Sequence, residues 1–258
     1  MNTKHLLANF DKDLRIHHML PEARREVNGD VVRFIRQAPG MNYVAFTFAT
    51  ERTLPRVIAQ EVAYLSPFAQ PFTWKVYEHD QLAGLRGQLT AQGFVEDNDP
   101  AAVMALDLRH APAETLQADP GIDIRRITTR DGLKTVVDVL KGVYGGNFHW
   151  VYNRMGAHLA IPGYLSVYAA YHFDIPVSVA WTYFPQGRFA TLFGGSTLPA
   201  HRQRGYYTAL LAHRLHEIRV RGYAFAVVEA GEMSRPIVAR YGFQQVSTVW
   251  DYEWQRQS

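Results

Sequence analysis

One run, Thr197-Leu198-Pro199-Ala200-His201-Arg202-Gln203-Arg204-Gly205-Tyr206-Tyr207-Thr208-Ala209-Leu210-Leu211, constrains the fold of this 258-residue chain more than any other. It places the end of a strand, a basic glycine-containing turn and the start of an amphipathic helix in succession. Tyr207, Leu211, Leu215 and Ile218 recur at helical spacing on one face, while His213, Arg214, Glu217 and Arg221 point elsewhere, and Gly222 stops the helix. Such a turn has a physical use. Backbone N–H groups at a helix start lack intrahelical acceptors and sit at the positive end of the helix dipole, so they suit an anion, and Gly205 permits close approach of the backbone. Arg202 and Arg204 add charge and Thr208 adds a hydroxyl.

The flanking segments read as a mixed α/β domain. Ile122–Ile127 is a strand, and Leu133, Val136, Val137 and Leu140 form the apolar stripe of a helix ended by Gly145-Gly146. Phe148–Ile161, rich in aromatics and His, has no clean period. Tyr164–Phe173, Val177–Phe184 and Phe189–Thr197 are joined by short turns and predict an antiparallel meander. Ala224–Glu229 is a buried strand, Ser234 caps a helix with Pro236 in its first turn, Gly242 ends that helix, and Val246–Trp254 is the last strand.

The first half is also mixed α/β. Strands are predicted at Val31–Ile35, Tyr43–Phe48, Phe72–Tyr77 and Val103–Leu108. A helix with Leu54, Ile58, Val62 and Leu65 on one side is capped by Thr53, and Leu82, Leu85 and Leu89 give a shorter helix stopped by Gly93. The stretch between Pro112 and Pro120 reads as a linker, which predicts two domains, residues 1–118 and 119–258. The order strand, helix, Gly93-Phe94, strand in the first half matches strand, helix, Gly242-Phe243, strand in the second, as in a degenerate internal repeat.

Composition sets the outer limits. The formal charge of +3, with Lys and Arg dispersed along the chain, gives no basic stripe for nucleic acid but suits a small anionic ligand. The absence of Cys removes disulfides, thiolate metal sites and a cysteine acyl-enzyme. No apolar run reaches the roughly 20 residues that span a bilayer, and Met1–Asp13 lacks a signal-peptide core, so a cytoplasmic location without membrane contact is expected. A homodimer is allowed.

Arg202-x-x-Gly205, together with the Ser234–Phe243 helix ending in Gly-Phe, resembles the acetyl-CoA signature and late helix of the GNAT (GCN5-related N-acetyltransferase) family over about residues 122–258. That pattern continues Gly-x-(Gly or Ala), and Tyr207 departs from it. The resemblance implies a central, mostly antiparallel sheet flanked by helices, in tandem if the first half is a copy without the cofactor turn. It implies an acetyl-CoA-dependent N-acetyltransferase in which an amine attacks the thioester directly in a ternary complex, with no metal. Thr197, Leu198, Arg202, Gln203, Arg204, Gly205, Tyr206, Tyr207, Thr208 and Ser234 are the implied cofactor contacts. The bulged strand corresponds to Gly194–Leu198, with the Leu198 N–H as oxyanion donor, and Glu229, ending the strand after the cofactor helix, is the candidate base. Glu229 reads equally as a solvated or ion-paired strand end.

Many family members carry a Tyr as acid where this chain has Val238, which keeps a second reading open, a non-catalytic acyl-CoA sensor. The lack of Gly-Lys-Ser or Gly-Lys-Thr at the turn removes a P-loop NTPase. His149, Trp150, Tyr152 and His158 fall where the family's acceptor-binding helices lie, so they line an acceptor site or simply pack. His213 and His216, three apart without a third ligand, read as a solvated helix face, and His17-His18 and Arg24-Arg25 as surface charge.

Overall fold

A computed structural model describes residues 2–36, 40–68, 70–117 and 119–255. The first half runs α1 (Thr3–Phe10), β1 (Ala23–Val27), β2 (Val31–Arg36), β3 (Asn42–Thr47), α2 (Leu54–Leu65), β4 (Phe72–Tyr77), α3 (Leu85–Ala91), β5 (Phe94–Glu96) and β6 (Ala101–Asp107). The second runs β7 (Asp123–Ile127), α4 (Leu133–Tyr144), α5 (Gly156–Leu159), β8 (Leu165–His172), β9 (Ile175–Tyr183), β10 (Phe189–Thr197), α6 (Tyr206–Val220), β11 (Phe225–Ala230), α7 (Arg235–Arg240) and β12 (Gln244–Trp254).

Two compact units result, but they are not the contiguous halves expected. One comprises Met1–Val103, Glu229–Arg235 and Gln245–Ser258, the other Met104–Val228 and Pro236–Gln244. The reason lies in strand pairing: Val249–Glu253 of β12 run antiparallel to Thr73–Tyr77 of β4, and Tyr252–Trp254 also pair β5. The last strand thus completes the first unit, while β6 from Met104 onward belongs to the second. Residue 118, the expected boundary, lies outside the described residues. Nearby, Ala113–Leu116 form a 3-10 turn in which Thr115 and Leu116 are buried, so this stretch is packed and not a free linker.

The sheet of the first unit runs β1-β2-β3-β4-β12, and that of the second β6-β11-β10-β9-β8-β7. Each contains a parallel pair, β3–β4 and β10–β11, bridged by the helix between its strands, α2 and α6. A parallel pair needs such a crossover, so the repeated strand-helix-strand order builds the same device twice. The turns after α3 and α7 match too, with Gly93 at φ +89° and Gly242 at φ +88°. In the first unit, Trp74, Phe72 and Phe94 pack under Leu54, Ile58, Leu65 and Leu89 of α2 and α3. Each such fully buried side chain contributes about 1.5–3 kcal/mol. In the second, α4 covers Val167, Val179 and Trp181, while Tyr206 and Leu210 of α6 pack with Tyr168, Ala170 and Val177.

Several local expectations are corrected. The N-terminal segment forms α1 and a π-turn at Asp11–Ile16, because Leu6 and Phe10, four apart, give it a buried face. Arg15 in that turn is buried. Its guanidinium donates to the Ala45 carbonyl at 2.9 Å and to Asp11 and Asp80, both at 2.7 Å. His18 is not simple surface charge: it packs against Phe34 at 6.1 Å, and burial pushes its pKa down to about 4. Arg25 is likewise tied down, donating to the Ile16 carbonyl at 2.8 Å.

Candidate active site

The meander strand β10 carries an irregularity at its glycines. Phe193 pairs Trp181 and Ser196 pairs Val179, so Gly194 and Gly195 together oppose Ala180. Such an extra residue bends the strand and leaves the ladder locally unpaired. Gly194 adopts φ +63°, and a Cβ built on it would lie 1.8 Å from the Trp181 ring. A Cβ on Gly195 would lie 2.6 Å from the Tyr207 ring. Both glycines are therefore dictated by two aromatic side chains that take the space beside the bulge. This also accounts for Tyr207 where the family pattern has Gly or Ala: its ring packs onto a strand position that has no side chain.

Arg214, expected on the outer face of α6, is buried. It donates to the carbonyls of Leu210 (3.1 Å), Trp181 (3.2 Å) and Phe193 (3.3 Å). The guanidinium thus holds the strands on both sides of the bulge. Burial with no carboxylate partner lowers its pKa to about 10. A three-four spacing pattern assigns faces by residue type and so misses a cation whose partners are main-chain carbonyls.

Pairing between β10 and β11 covers Phe189–Thr191 against Phe225–Val227. Past that point β10 continues through the bulge to Thr197 and enters the turn. Arg202 clips the turn onto the strand, its Nε donating to the Thr197 carbonyl at 3.3 Å. Gln203 at φ +61° and Gly205 at φ +82° then swing the chain into α6. Ala209 N–H is the first amide of the helix to find a main-chain acceptor, Gly205 O at 2.9 Å. Among the described residues, no acceptor serves the N–H groups of Gln203, Arg204, Gly205, Tyr206, Tyr207 and Thr208. Gln203, Arg204 and Gly205 are exposed. The turn is an open cradle of amides at a helix start, flanked by two arginines, and it matches what a diphosphate requires.

The remaining predicted residues divide. Thr208 and Tyr206 do sit at the cradle, but the Thr208 hydroxyl donates back to Gly205 O at 2.9 Å and the Tyr206 hydroxyl bonds His172 Nδ1 at 2.9 Å. The Thr197 hydroxyl is buried against Ser178 Oγ at 2.8 Å, so only its main chain borders the turn. Leu198 N–H donates to Val177 O at 2.9 Å, which removes it as the oxyanion donor. The bulge lies earlier in the strand than that assignment required. Ser234 precedes α7, yet its hydroxyl donates to Gly231 O at 3.3 Å instead of accepting from the helix. Val238 is buried and supplies no proton.

Glu229 belongs to the first unit. Its carboxylate accepts from Lys75 Nζ and Tyr77 Oη, both at 3.0 Å, with 36% of the side chain exposed. Burial acts to raise its pKa, but the Lys75 ammonium and the two hydrogen bonds outweigh it and leave the carboxyl below its ordinary value. Asp251, 3.5 Å from the same ammonium, is pushed the other way by burial. Sequence reading missed this network because Lys75 and Tyr77 are about 150 residues from Glu229.

The helix start of α2, the counterpart of the cradle in the first unit, offers no such continuous row of amides. Thr53 and Leu54 N–H both donate to Thr50 O, at 3.0 and 2.9 Å, and Pro55 has no N–H. Thr53 is no cap: its hydroxyl accepts from Thr50 N at 3.0 Å. His213 stacks edge-on against Tyr168 at 4.6 Å. Among the described residues, no cluster of three or more His, Asp or Glu side chains suits a metal ion, and no helix is long and apolar enough to cross a membrane.

The chain has the fold of the GCN5-related N-acetyltransferases. A GCN5-related N-acetyltransferase from Kribbella flavida is similar over 99% of this chain and 95% of its own, with a TM-score of 0.70 at 13% identity. A tandem GNAT protein from the clavulanic acid biosynthesis pathway matches over 93% and 86%, with a TM-score of 0.61 at 15% identity. An acetyltransferase of the GNAT family from Colwellia psychrerythraea matches over 98% and 96%, at 0.60 and 12%. No family profile and no curated protein matches the sequence.

Proposed function

We propose that this protein is a cytoplasmic, acetyl-CoA-dependent N-acetyltransferase whose cofactor site lies in the second unit. The observation that carries the reading is the row of six amides at 203–208 without acceptors, on a turn that continues directly from a bulged strand. The diphosphate of CoA fits the cradle, with Arg202 and Arg204 beside it, and the pantetheine arm fits along the edge of β10 beyond its pairing with β11. A neutral amine attacks the thioester carbonyl, the C–N bond forms, the nitrogen gives up one proton to the base, and the C–S bond breaks to leave the CoA thiolate. An amide of the bulge serves the oxyanion, since an unpaired strand residue has a free donor.

Glu229 is the candidate base. Because its carboxyl is held below the ordinary 4.5, it is ionised throughout the neutral range, and any acid limb due to it falls below that value. By the same sign, its contribution to stability is present above the unfolded-state value and lost as pH falls through the folded one. Glu229→Gln is expected to lower turnover by roughly a hundredfold or more while leaving CoA affinity within about twofold. Lys75→Met removes the ammonium that lowers the carboxyl's pKa and should move the acid limb of kcat/KM upward. Release of thiol from acetyl-CoA, followed against pH, measures both. An unchanged rate in Glu229→Gln excludes it as base.

The engagement of Glu229 by Lys75 and Tyr77, with Val238 in place of a phenol, favours one other reading, a sensor that binds acyl-CoA without turnover. Binding with no thiol release for any amine would select it.

A further inference from the structure

The wall of the second unit around the bulge is aromatic and almost free of carboxylates. Trp181 lies on Gly194, as described, and its ring meets that of Trp150 at 6.5 Å. Phe193, at the bulge, packs edge-on against Tyr183 at 5.6 Å yet keeps 46% of its surface exposed. The Tyr144 hydroxyl bonds Ser196 Oγ at 3.1 Å, just past the bulge, its ring 6.3 Å from Phe148, and the residue is 64% exposed. These side chains come from three places, the end of α4, the segment before α5, and strands β9 and β10, and Trp181 and Tyr144 bring them onto the bulged strand at Gly194 and Ser196.

Charge makes the second observation. Between Val139 and His216 the only carboxylate side chain is Asp174, which pairs with Arg125 at 2.5 Å and is exposed in the β8–β9 turn. The same stretch contains Lys141, Arg154, Arg188, Arg202, Arg204 and Arg214. Arg154 already covers the Trp150 ring, at 5.3 Å, so that face does not stand open for another cation. Acceptors with several ammonium groups need several carboxylates to replace their hydration, and the segments that carry these aromatic side chains, residues 139–216, hold only the paired Asp174. A flat apolar body, by contrast, gains stacking contacts and water exclusion on exposed Phe193 and Tyr144.

Building on the acetyltransferase reading, we infer that the acceptor is a primary amine with an aromatic or similarly flat apolar body and a single basic centre, seated on Phe193 and Tyr144. Exposed aromatic residues beside a reactive strand then select the acceptor, and the scarcity of carboxylates on these segments disfavours polyamines.

The test uses the full chain and follows thiol release from acetyl-CoA with 2-phenylethylamine, benzylamine, putrescine, spermidine and a lysine-bearing peptide. The arylalkylamines are expected to show kcat/KM at least about tenfold above the two polyamines and the peptide. Phe193→Ala, at an exposed position that folding tolerates, should raise KM for the aryl amines about tenfold without changing KM for acetyl-CoA, and Phe193→Tyr should restore it. Polyamines acetylated as well as the aryl amines, or no aryl amine acetylated, would overturn the inference. Calorimetry of acetyl-CoA on the same sample, read with the whole amine panel, separates the two failures: loss of cofactor binding, or binding with no thiol release for any amine, is failure of the acetyltransferase reading, whereas thiol release with the polyamines or the peptide and not with the aryl amines overturns this inference alone.

Discussion

Gly205→Glu is expected to weaken acetyl-CoA binding by about a hundredfold or more while the protein remains folded. Gly205 stands at φ +82° in the middle of the amide cradle, and a Cβ there would meet Ile122 Cδ1 at 3.5 Å, an ordinary contact. The backbone conformation costs an L-residue about 1 kcal/mol, which a protein of this size absorbs. The carboxylate, however, projects into a site whose purpose is to receive a diphosphate, and like charges in contact cost several kcal/mol. Gly205→Ala introduces the strain without the charge and should lose far less affinity. Calorimetry with circular dichroism as a folding control distinguishes the two variants. Equal losses would show that backbone strain, not charge, is responsible.

Gly194→Ala should be the most destabilising small substitution in the second unit. The added methyl would start 1.8 Å from the Trp181 ring, in a conformation of φ +63° that only glycine adopts without strain. Overpacking and backbone strain each cost about 1–3 kcal/mol, so a loss of roughly 3 kcal/mol or more and a fall of about 10 °C in the unfolding midpoint are expected. The neighbouring Arg214 raises the cost, because its bonds to Trp181 O and Phe193 O hold both strands in place. Trp181→Ala should recover part of the loss, giving a combined effect smaller than the sum of the two. Thermal unfolding of the three variants measures it; strictly additive losses would mean that the ring and the glycine are not coupled.

What could be read from sequence follows the range of the interactions involved. The β8–β9–β10 meander, α6 and the turn between them were legible because period, turn length and glycine position are local signals, and the double glycine at 194–195 marked the bulge. Glycines 93 and 242, each after a short helix, carried the repeat. The unit boundary was not legible, because β12 chooses β4 as its partner across about 170 residues and no local pattern encodes that choice. Leu198 was assigned a free amide from its place in a motif, whereas its donor is spent on Val177 in a register that only the paired strand reveals. A buried charge was missed for a similar reason. Arg214 reads as a residue of the outer helix face until its acceptors on β9 and β10, the Trp181 and Phe193 carbonyls, are brought alongside.

The two helix starts give the central claim its sharpest form. Among the described residues, six consecutive amides at the start of α6 have no acceptor, whereas at α2 the Thr53 and Leu54 amides are taken up by Thr50 and Pro55 interrupts the row. Calorimetric titration of the wild-type chain with acetyl-CoA therefore tests the account directly. Saturable binding at one site per chain, competed by CoA and lost in Gly205→Glu, is predicted; no heat from a folded sample, or two equivalent sites per chain, would contradict it.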